Sequence, residues 1–283
     1  MKVFKNLFLF ALVSSLFISC NNKKSENQEI INHKIVSLNG AVTEILSALG
    51  QENNIVGVDV TSTYPEGIKE KAQDLGHVRS ISIESLIALQ PTLVLASDKD
   101  LNTELITKLK ETNIKVKTIH QEQSIEGTKQ FIKDVAEAVG DTDYTSLIEQ
   151  IDADFADLNQ FETAPKVLFI YARGAGTLMV AGKNTPMQKI IEIAGGENAV
   201  NDFEDFKPLT PEALIQSNPD YLLFFATGLE SLGGIDGVLQ LQGIEQTNAG
   251  KNNQIIAMDG ALLSGFGPRV GQAAKELNQL LSK

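Results

Sequence analysis

One stretch in the middle of the chain, residues 143–161, has the clearest pattern of hydrophobic and polar positions. Its apolar side chains recur at steps of three and four residues, and many of the residues between them are Asp or Glu. This spacing places the apolar side chains on one face of a helix and the acidic ones on another. Gly140 ends a preceding helix, the cluster 141–143 offers an N-cap, and Pro165 stops the helix. We therefore predict one helix, roughly 28 Å long at 1.5 Å per residue.

The pattern before this stretch recurs after it. Residues 82–95 have the sequence SIESLIALQPTLVL, and residues 210–223 have the sequence TPEALIQSNPDYLL. Each segment begins with a hydroxyl residue that can cap a short helix headed by Glu, then turns at a proline and ends in a buried strand. The two segments are 128 positions apart. Two homologous lobes joined by the helix at 143–161 are the simplest account, and a chance match of a common pattern is the alternative.

Short apolar strands alternate with helices on both sides of the central stretch. The predicted strands are the start of 34–50, then 54–60, 93–96, 116–119, 166–171, 177–182, 221–226 and 254–258. Such alternation is typical of a mainly parallel sheet covered on both faces. The predicted fold class is therefore α/β, with two Rossmann-like lobes joined by a single long helix. We expect the lobes at 34–122 and 165–283, with a helical linker at 123–164.

The beginning of the chain is predicted to be a targeting segment rather than part of the fold. Residues 1–19 have a basic start and an apolar run that is short for a transmembrane helix, and Cys20 follows. This order is typical of a bacterial lipoprotein signal peptide, which is cleaved before a cysteine that is then acylated. Residues 20–33 are polar and predict a flexible tether. We expect a lipid anchor on Cys20, on the periplasmic side of the cell envelope; a free thiol is the alternative.

The charged residues exclude some partners and favour others. The formal net charge is −12, which argues against nucleic acid and against docking on anionic lipid. Only three of the 24 basic residues are arginines: Arg79, Arg173 and Arg269. Each lies in a glycine-bearing segment that we expect near the carboxyl ends of the strands, where parallel sheets bind ligands. Arginine holds carboxylates through a planar, bidentate fork, so these residues predict an anionic ligand, unless each only fixes its own loop.

Several short motifs in the two lobes occur together in one known family. The first lobe contains TYP at 63–65 and GHVRSIS at 76–82, followed by the helix headed by Glu. The second lobe contains MVAG, AGGENAV, FKPLTPEAL, GLESLGG and GFGPR. This combination resembles the substrate-binding proteins of bacterial ABC importers for iron complexes and vitamin B12, and it is most similar to the haem-binding members. The resemblance covers nearly all of residues 34–283 and implies the class III substrate-binding fold.

The resemblance implies that Tyr64 is the axial ligand of ferric haem, which would be carried as cargo between the lobes. A phenolate is a hard, anionic oxygen donor that suits ferric iron, and Pro65 restricts the backbone beside it. The three arginines would hold the haem propionates or the phenolate, Arg173 foremost. His77 stands where relatives more often have tyrosine, and it is a second ligand, a hydrogen-bond partner or an ordinary loop residue. If Tyr64 only packs over its turn, His77 or Tyr171 is the next candidate.

The repeated segments also point to a partner. Glu84 and Glu212 occupy the same place in the two lobes, close to a helix start, where the helix dipole favours a carboxylate. In the vitamin B12 importers that the chain resembles, glutamates at these positions dock onto arginines of a homodimeric permease. The resemblance therefore implies an ABC permease of two identical subunits, with its ATPase subunits, as the partner. A purely local benefit to each helix is the alternative.

Three other functions are open on the sequence alone. The first is the same transport role for a ferric siderophore or a corrinoid such as vitamin B12. The second is an enzyme, but the sequence has no phosphate loop, no nucleophile elbow and no Cys/His cluster. The third is a purely structural surface lipoprotein, which would not need clustered arginines. We expect a binding protein rather than an enzyme, with lobes that move little because a rigid helix joins them.

Overall fold

A computed structural model describes residues 33–99, 103–141 and 143–283. The strands in these ranges are β1 (Ile35–Ser37), β2 (Ile55–Val58), β3 (Gln73–Asp74), β4 (Leu93–Ser97), β5 (Lys115–Ile119), β6 (Lys166–Ala172), β7 (Leu178–Ala181), β8 (Glu197–Asn198), β9 (Phe206–Pro208), β10 (Tyr221–Phe225) and β11 (Ile255–Met258). The helices are α1 (Gly40–Ala48), α2 (Ile68–Lys71), α3 (Ile83–Ala88), α4 (Thr103–Lys110), α5 (Ile125–Ala138), α6 (Thr145–Phe155), α7 (Pro186–Ile193), α8 (Pro211–Ser217), α9 (Ala226–Ser231), α10 (Gly234–Leu239), α11 (Asn248–Asn252), α12 (Gly260–Ser264) and α13 (Val270–Leu280). None of these helices is long and apolar enough to cross a membrane. The predicted signal peptide, Cys20 and nearly all of the predicted tether lie outside the described residues.

The first lobe contains a five-stranded sheet in the order β3-β2-β1-β4-β5, and every neighbouring pair is parallel. Every residue of β1 and β4 is buried. Helices α1 and α5 pack on one face of the sheet, and α3 and α4 pack on the other. Strands that are covered on both faces need apolar residues at successive positions, which is why β4 has the sequence LVLAS.

The second lobe contains a six-stranded sheet in the order β11-β10-β6-β7-β9, with β8 beside the start of β6. β6 pairs in parallel with β8 and β10, and β10 pairs in parallel with β11. β7 is antiparallel to both β6 and β9, because residues 173–177 form a tight turn in which the backbone N–H of Arg173 donates to the carbonyl of Thr177 (3.0 Å). The prediction of two α/β lobes with mainly parallel sheets is confirmed.

The repeated segments fold in the same way in both lobes. The hydroxyl groups of Ser82 and Thr210 cap α3 and α8, and each accepts a hydrogen bond from the backbone N–H three residues later. Each helix is followed by a residue with positive φ, Gln90 (51°) or Asn218 (37°), which precedes a proline. The strands that follow are both interior, since β4 lies between β1 and β5 and β10 lies between β6 and β11. The two segments therefore occupy equivalent places, as duplication requires.

The connection between the lobes differs in part from the prediction. The helix predicted over 143–161 is α6, whose 11 residues span about 16 Å. It ends before Asn159, because the backbone N–H of that residue donates to Oδ1 of Asn278 in α13 (2.8 Å) instead of continuing the helix. The predicted length of roughly 28 Å is therefore wrong. The connection also contains α5, which is the longer helix at 14 residues.

One hydrophobic core continues from the first lobe into the second. It joins buried residues of β1, α1 and α5 with buried residues of β6, β10 and α13, and it includes Phe131, Ile151 and Phe266. Hydrogen bonds cross between the same regions: the hydroxyl of Thr128 and the side-chain amide of Gln121 both donate to the carbonyl of Phe266 (3.2 and 3.4 Å). The lobes thus pack directly on each other. This contact is a second physical reason to expect little movement of the lobes on binding. The small movement itself stays a prediction.

Candidate functional site

The loop after β2 holds Tyr64 at the carboxyl edge of the first sheet. Asp59, which is 1% exposed, organises the loop: one carboxylate oxygen accepts from the backbone N–H and the hydroxyl of Thr61 (3.1 and 2.7 Å), and the other accepts from the hydroxyl of Ser62 (2.9 Å). The hydroxyls of Ser62 and Thr43 in α1 are also hydrogen-bonded (2.7 Å). The Tyr64 side chain nevertheless remains 44% exposed. A large aromatic side chain is thus presented to solvent by a loop that is fixed from within.

Arg269, between α12 and α13 of the second lobe, lies over the ring of Tyr64. Its Cζ atom is 3.7 Å from the ring centroid, which is a close cation–π contact. The same guanidinium forms a bidentate ion pair with Glu44 of α1, in which Nε is 3.0 Å from Oε2 and Nη2 is 2.5 Å from Oε1. Both contacts cross from one lobe to the other. Arg269 therefore contacts the predicted iron ligand with its face and an acid of the first lobe with its edge.

The charges of this pair are set by burial and by mutual attraction. Glu44 is 7% exposed, and burial raises the pKa of its carboxyl, although the bond and the charge of Arg269 oppose the rise. Burial also acts to lower the pKa of Arg269, but the bond to Glu44 and its charge outweigh burial and hold that pKa above its usual value. The guanidinium therefore keeps its positive charge beside Tyr64 at physiological pH.

A polar hollow of about 160 Å³ lies beside the ion pair, between the two lobes. Its lining residues are Asn39, Gly40, Ala41, Glu44, Thr61, Gln121, Ala261, Ser264 and Gly265. Small-molecule sites usually measure about 300–1,000 Å³, so this hollow is too small for a macrocycle. A large, flat ligand would lie outside it, at the level of the exposed Tyr64. A larger hollow of about 480 Å³ lies elsewhere in the second lobe, among residues of β7, β9 and α8, and its lining contains none of the predicted site residues within the described ranges.

Arg173 lies in the turn between β6 and β7 of the second lobe. The turn is fixed by a hydrogen bond from the backbone N–H of Gly174 to the hydroxyl of Ser231 (2.9 Å). The Arg173 guanidinium is 5.9 Å from the ring centroid of Tyr171, and that ring packs edge-on against Phe225. The Arg173 side chain is exposed, and no carboxylate of the described residues forms an ion pair with it. Its fork is therefore available to an anionic ligand, unlike that of Arg269.

His77 and Arg79 lie together on the first lobe, after β3. The ring nitrogen Nδ1 of His77 accepts a hydrogen bond from the backbone N–H of Arg79 (3.2 Å), so this histidine caps its own short turn. Arg79 lines a hollow of about 270 Å³ with Glu84, Glu104 and Lys108. None of the described contacts joins either residue to Tyr64. The structure thus places Arg79 beside one predicted docking glutamate rather than against the predicted iron ligand.

Glu84 and Glu212 are both exposed near the start of a short helix, as the repeat predicts. The carboxylate of Glu84 accepts a hydrogen bond from the hydroxyl of Ser82 (2.7 Å), and this bond, followed by one from its own backbone N–H, lowers the pKa of Glu84. Lys108 lies close enough to add a smaller attraction. Two exposed carboxylates at equivalent places form a matched acidic pair.

Glu44 is the site residue that the sequence analysis missed. It lies in the sequence AVTEIL at the start of α1, among residues that are buried. A buried carboxylate needs a hydrogen-bond or ion-pair partner, so the acid in this segment was a signal that such a partner exists. Its partner could not be read from that signal, because Arg269 is 225 positions further along the chain.

The chain matches the sequence profile of one protein family over most of its length. Residues 35–262 match the family described as Periplasmic binding protein. The match begins at β1 and ends within α12, so it includes the strands of both sheets and the helices that connect the lobes, and it stops before α13.

Two solved structures are similar to this fold in both lobes. The periplasmic heme-binding protein RhuT of Roseiflexus sp. RS-1, in its apo form, is 38% identical with a TM-score of 0.83, and the comparison covers 88% of this chain and 97% of RhuT. The periplasmic heme-binding protein HutB of Vibrio cholerae is 32% identical with a TM-score of 0.81, and the comparison covers 89% of this chain and 100% of HutB.

Relatives are also found by sequence, and two of them match 86% of this chain. The uncharacterized ABC transporter substrate-binding lipoprotein YvrC of Bacillus subtilis (strain 168) is 29% identical over 252 residues, which is 86% of this chain and 78% of YvrC. The Vitamin B12-binding protein of Vibrio vulnificus (strain CMCP6) is 23% identical over 254 residues, which is 86% of this chain and 88% of the relative. These findings confirm the predicted fold and the expectation of a binding protein rather than an enzyme. The chain belongs to the periplasmic binding protein family.

Proposed function

We propose that this protein is the substrate-binding component of an ABC importer and that it captures haem between its two lobes. The observation that carries the proposal is the exposed ring of Tyr64 beneath the guanidinium of Arg269. An exposed tyrosine beside a fixed cation is suited to bind ferric iron as a phenolate. The similarity to the heme-binding proteins RhuT and HutB supports the same ligand.

Tyr64 is the proposed axial ligand of the ferric iron. The negative oxygen that binds the iron is stabilised by a nearby positive charge, and Arg269 supplies that charge. Glu44 holds the guanidinium through two hydrogen bonds, so the cation is in place before the ligand arrives. Because these bonds occupy donors of Arg269, we assign this arginine to the phenolate rather than to a propionate.

Arg173 is proposed to hold a haem propionate from the second lobe. Its exposed fork pairs with no carboxylate of the described residues, and a propionate is a carboxylate that a guanidinium can bind in bidentate fashion. Arg79 and His77 are proposed only as peripheral contacts, because His77 already caps the turn that carries Arg79.

A corrinoid is the second candidate ligand, and the similarity to the Vitamin B12-binding protein of Vibrio vulnificus favours it. A ferric siderophore is the third. With either ligand, Tyr64 and the arginines would line the site, and the phenol of Tyr64 would not bind the metal of the cargo. These alternatives share the transport role and differ only in the chemistry of the cargo.

We further propose that the mature protein is anchored by lipid on Cys20 after cleavage of a signal peptide at 1–19. The name of the lipoprotein YvrC supports this anchor. Glu84 and Glu212 are proposed to dock onto a homodimeric permease with its ATPase subunits, since matched acids on two equivalent lobes suit a partner that offers the same basic surface twice. The proposed location is the periplasmic side of the cell envelope.

Titration of the purified protein with hemin, followed by absorbance, tests the proposed ligand. We expect a saturable spectrum typical of ferric haem bound by a phenolate, with cyanocobalamin and a ferric siderophore failing to compete. Saturable binding of cyanocobalamin with no spectral response to hemin would show that the cargo is a corrinoid and not haem. Binding of neither would contradict the proposed cargo.

A further inference from the structure

Two exposed isoleucines occupy the same position of the repeat. In the described part of the chain, the exposed large apolar side chains are Val60, Tyr64, Ile87, Phe206, Ile215 and Ile235. Single exposed apolar side chains are normal on a protein surface. Ile87 in α3 and Ile215 in α8, however, are 128 positions apart, the same distance that separates Glu84 from Glu212. Each predicted docking glutamate is therefore accompanied by its own exposed isoleucine.

The two helices present these side chains in the same way. Each isoleucine follows its glutamate by three residues, so that the acid and the apolar side chain share one helix face. In each helix the residue just before the isoleucine, Leu86 or Leu214, is buried in the core of its own lobe. The core thus buries Leu86 or Leu214 and leaves the next residue, Ile87 or Ile215, 39% or 36% exposed. Burial within the lobe does not account for Ile87 and Ile215.

Ile215 is also held in position by its surroundings. A Cβ atom added at Gly243 would lie 3.3 Å from Cγ1 of Ile215, so the isoleucine packs against a glycine that leaves it just enough room. A side chain packed on one side and exposed on the other presents a fixed apolar surface at little further entropic cost on binding.

We propose that the pair Glu84 and Ile87 (patch 1) and the pair Glu212 and Ile215 (patch 2) dock together onto a membrane permease of two identical subunits, each of which presents a cation beside an apolar recess. This inference rests on the proposed transport function. Two lobes that display the same acid and the same apolar side chain match a two-fold partner that displays its surface twice. A second copy of this chain fits poorly, because it would bring glutamate against glutamate in a chain of net charge −12.

The glutamate and the isoleucine of each patch contribute to docking in different ways. Ion pairs at an exposed surface contribute little and are screened by salt, so the glutamates set the register of docking more than its strength. Apolar area removed from water contributes independently of salt. Ile87 and Ile215 therefore supply the salt-resistant part of the affinity for the permease.

The test compares purified full-length variants for binding to the importer, the permease with its ATPase subunits, in lipid nanodiscs at low and high salt. From the exposed area of each isoleucine, we expect Ile87→Ser and Ile215→Ser each to weaken binding about fivefold, and the double variant about 25-fold. These losses should persist at high salt, whereas the loss caused by Glu84→Ala/Glu212→Ala should shrink. Ile235→Ser removes an equally exposed isoleucine outside the repeat and should change nothing. Hemin affinity should match the wild type in all variants, and each isoleucine variant should remain folded at the temperature of the binding assay.

Three results would overturn the inference. If the double isoleucine variant binds the importer normally while the double glutamate variant does not, the apolar contact is absent and the proposed docking function still stands. If neither variant weakens binding, the proposed docking itself fails. If the wild type sediments as a dimer and the isoleucine variants sediment as monomers, the two patches meet a second copy of this chain.

Discussion

The two lobes are alike where the repeated segments fold and unlike where the candidate site lies. Ser82 and Thr210 cap equivalent helices, and the strands that follow lie inside their sheets in equivalent positions. The loop of Tyr64 has no such counterpart at this spacing, since the residue 128 positions later is Glu192, near the end of α7. The turn of Arg173 has none either, because β1, which pairs with β4 as β6 pairs with β10, leads into the helix α1 and not into an antiparallel strand.

This difference separates two kinds of surface on one molecule. A partner built from two identical subunits requires the same groups twice, so its contacts belong in the duplicated part of the chain. A single asymmetric ligand needs different groups on its two sides, so its contacts belong in the segments that are not duplicated. Changes in the two sets should therefore affect different functions.

The largest effect on ligand binding is expected from Tyr64→Phe, which removes the oxygen and keeps the ring. Loss of an outer-shell group typically costs a metal site about 10–100-fold in affinity, so loss of the ligand itself should cost at least about 100-fold for hemin. The absorbance spectrum of the bound haem should change as well. Tyr171→Phe is the matched control and should leave both unchanged. An unaltered spectrum and affinity in Tyr64→Phe would remove Tyr64 from the site and leave His77 or Tyr171 as the next candidate.

A smaller effect, on both ligand and stability, is expected from Arg269→Leu. This change leaves the buried Glu44 without its partner, so the free energy of unfolding should fall by about 2 kcal/mol, less than for a fully buried pair because Arg269 is partly exposed. Hemin affinity should fall about tenfold. Adding Glu44→Gln to Arg269→Leu should restore part of the stability and none of the hemin affinity. Equal stability of the single and the double variant, measured by urea unfolding, would contradict the ion pair.

The change Glu84→Ala/Glu212→Ala is expected to abolish transport without altering hemin binding. Both carboxylates are exposed and neither contributes to the core, so thermal unfolding should stay close to that of the wild type. Growth on hemin as the sole iron source, in cells that depend on this protein, measures transport. Normal growth of the double variant would show that both glutamates only stabilise the starts of their helices. Loss of hemin binding would show that they belong to the ligand site.

Only a small movement of the lobes is expected when the ligand binds. The shared core around Phe131 and the ion pair between Glu44 and Arg269 both join the lobes, so backbone shifts should stay at about 1 Å or less. Crystal structures with and without hemin measure this directly. A wide hinge closure on binding would show that these contacts open.

The smallest effect is a pH dependence of stability carried by Glu44. Its pKa in the folded protein is raised above the ordinary value of 4.5, mainly by burial, so the folded state binds the proton more strongly than the unfolded chain does. Stability should therefore fall as the pH rises from about 4.5 through the raised pKa, and the slope should vanish above it. The difference in unfolding free energy between the wild type and Glu44→Gln isolates this group. A difference that grows in favour of the wild type over that window would mean that Arg269 outweighs burial.

Much of the fold was predictable because its signals are local. The repeat at 82–95 and 210–223 combines caps, proline turns and apolar strands within a few residues of one another, and the structure contains all of them. The end of α6 was not predictable, because it depends on Asn278 far along the chain. The antiparallel direction of β7 depends on the tight turn after Arg173, which the apolar residues of β7 do not by themselves indicate.

The candidate site was predictable in its residue types more than in its contacts. The sequence indicated that Tyr64 and the three arginines are functional, but it could not show that Arg269 is bonded to Glu44 or that Arg79 lies beside Glu84. Both contacts join residues whose sequence spacing carries no information about their spatial distance. Motifs thus predict which groups form the site, and the packing of the lobes shows which residue each group contacts.

The most direct test of the division between the two surfaces measures hemin affinity and importer affinity on the same preparations of two variants. Tyr64→Phe should lose hemin affinity and bind the importer like the wild type, whereas Glu84→Ala/Glu212→Ala should bind hemin normally and bind the importer more weakly at low salt. We expect each variant to lose one of the two affinities and to keep the other. If either variant loses both affinities while its thermal unfolding stays normal, the ligand site and the docking surface are one surface, which contradicts the proposed division.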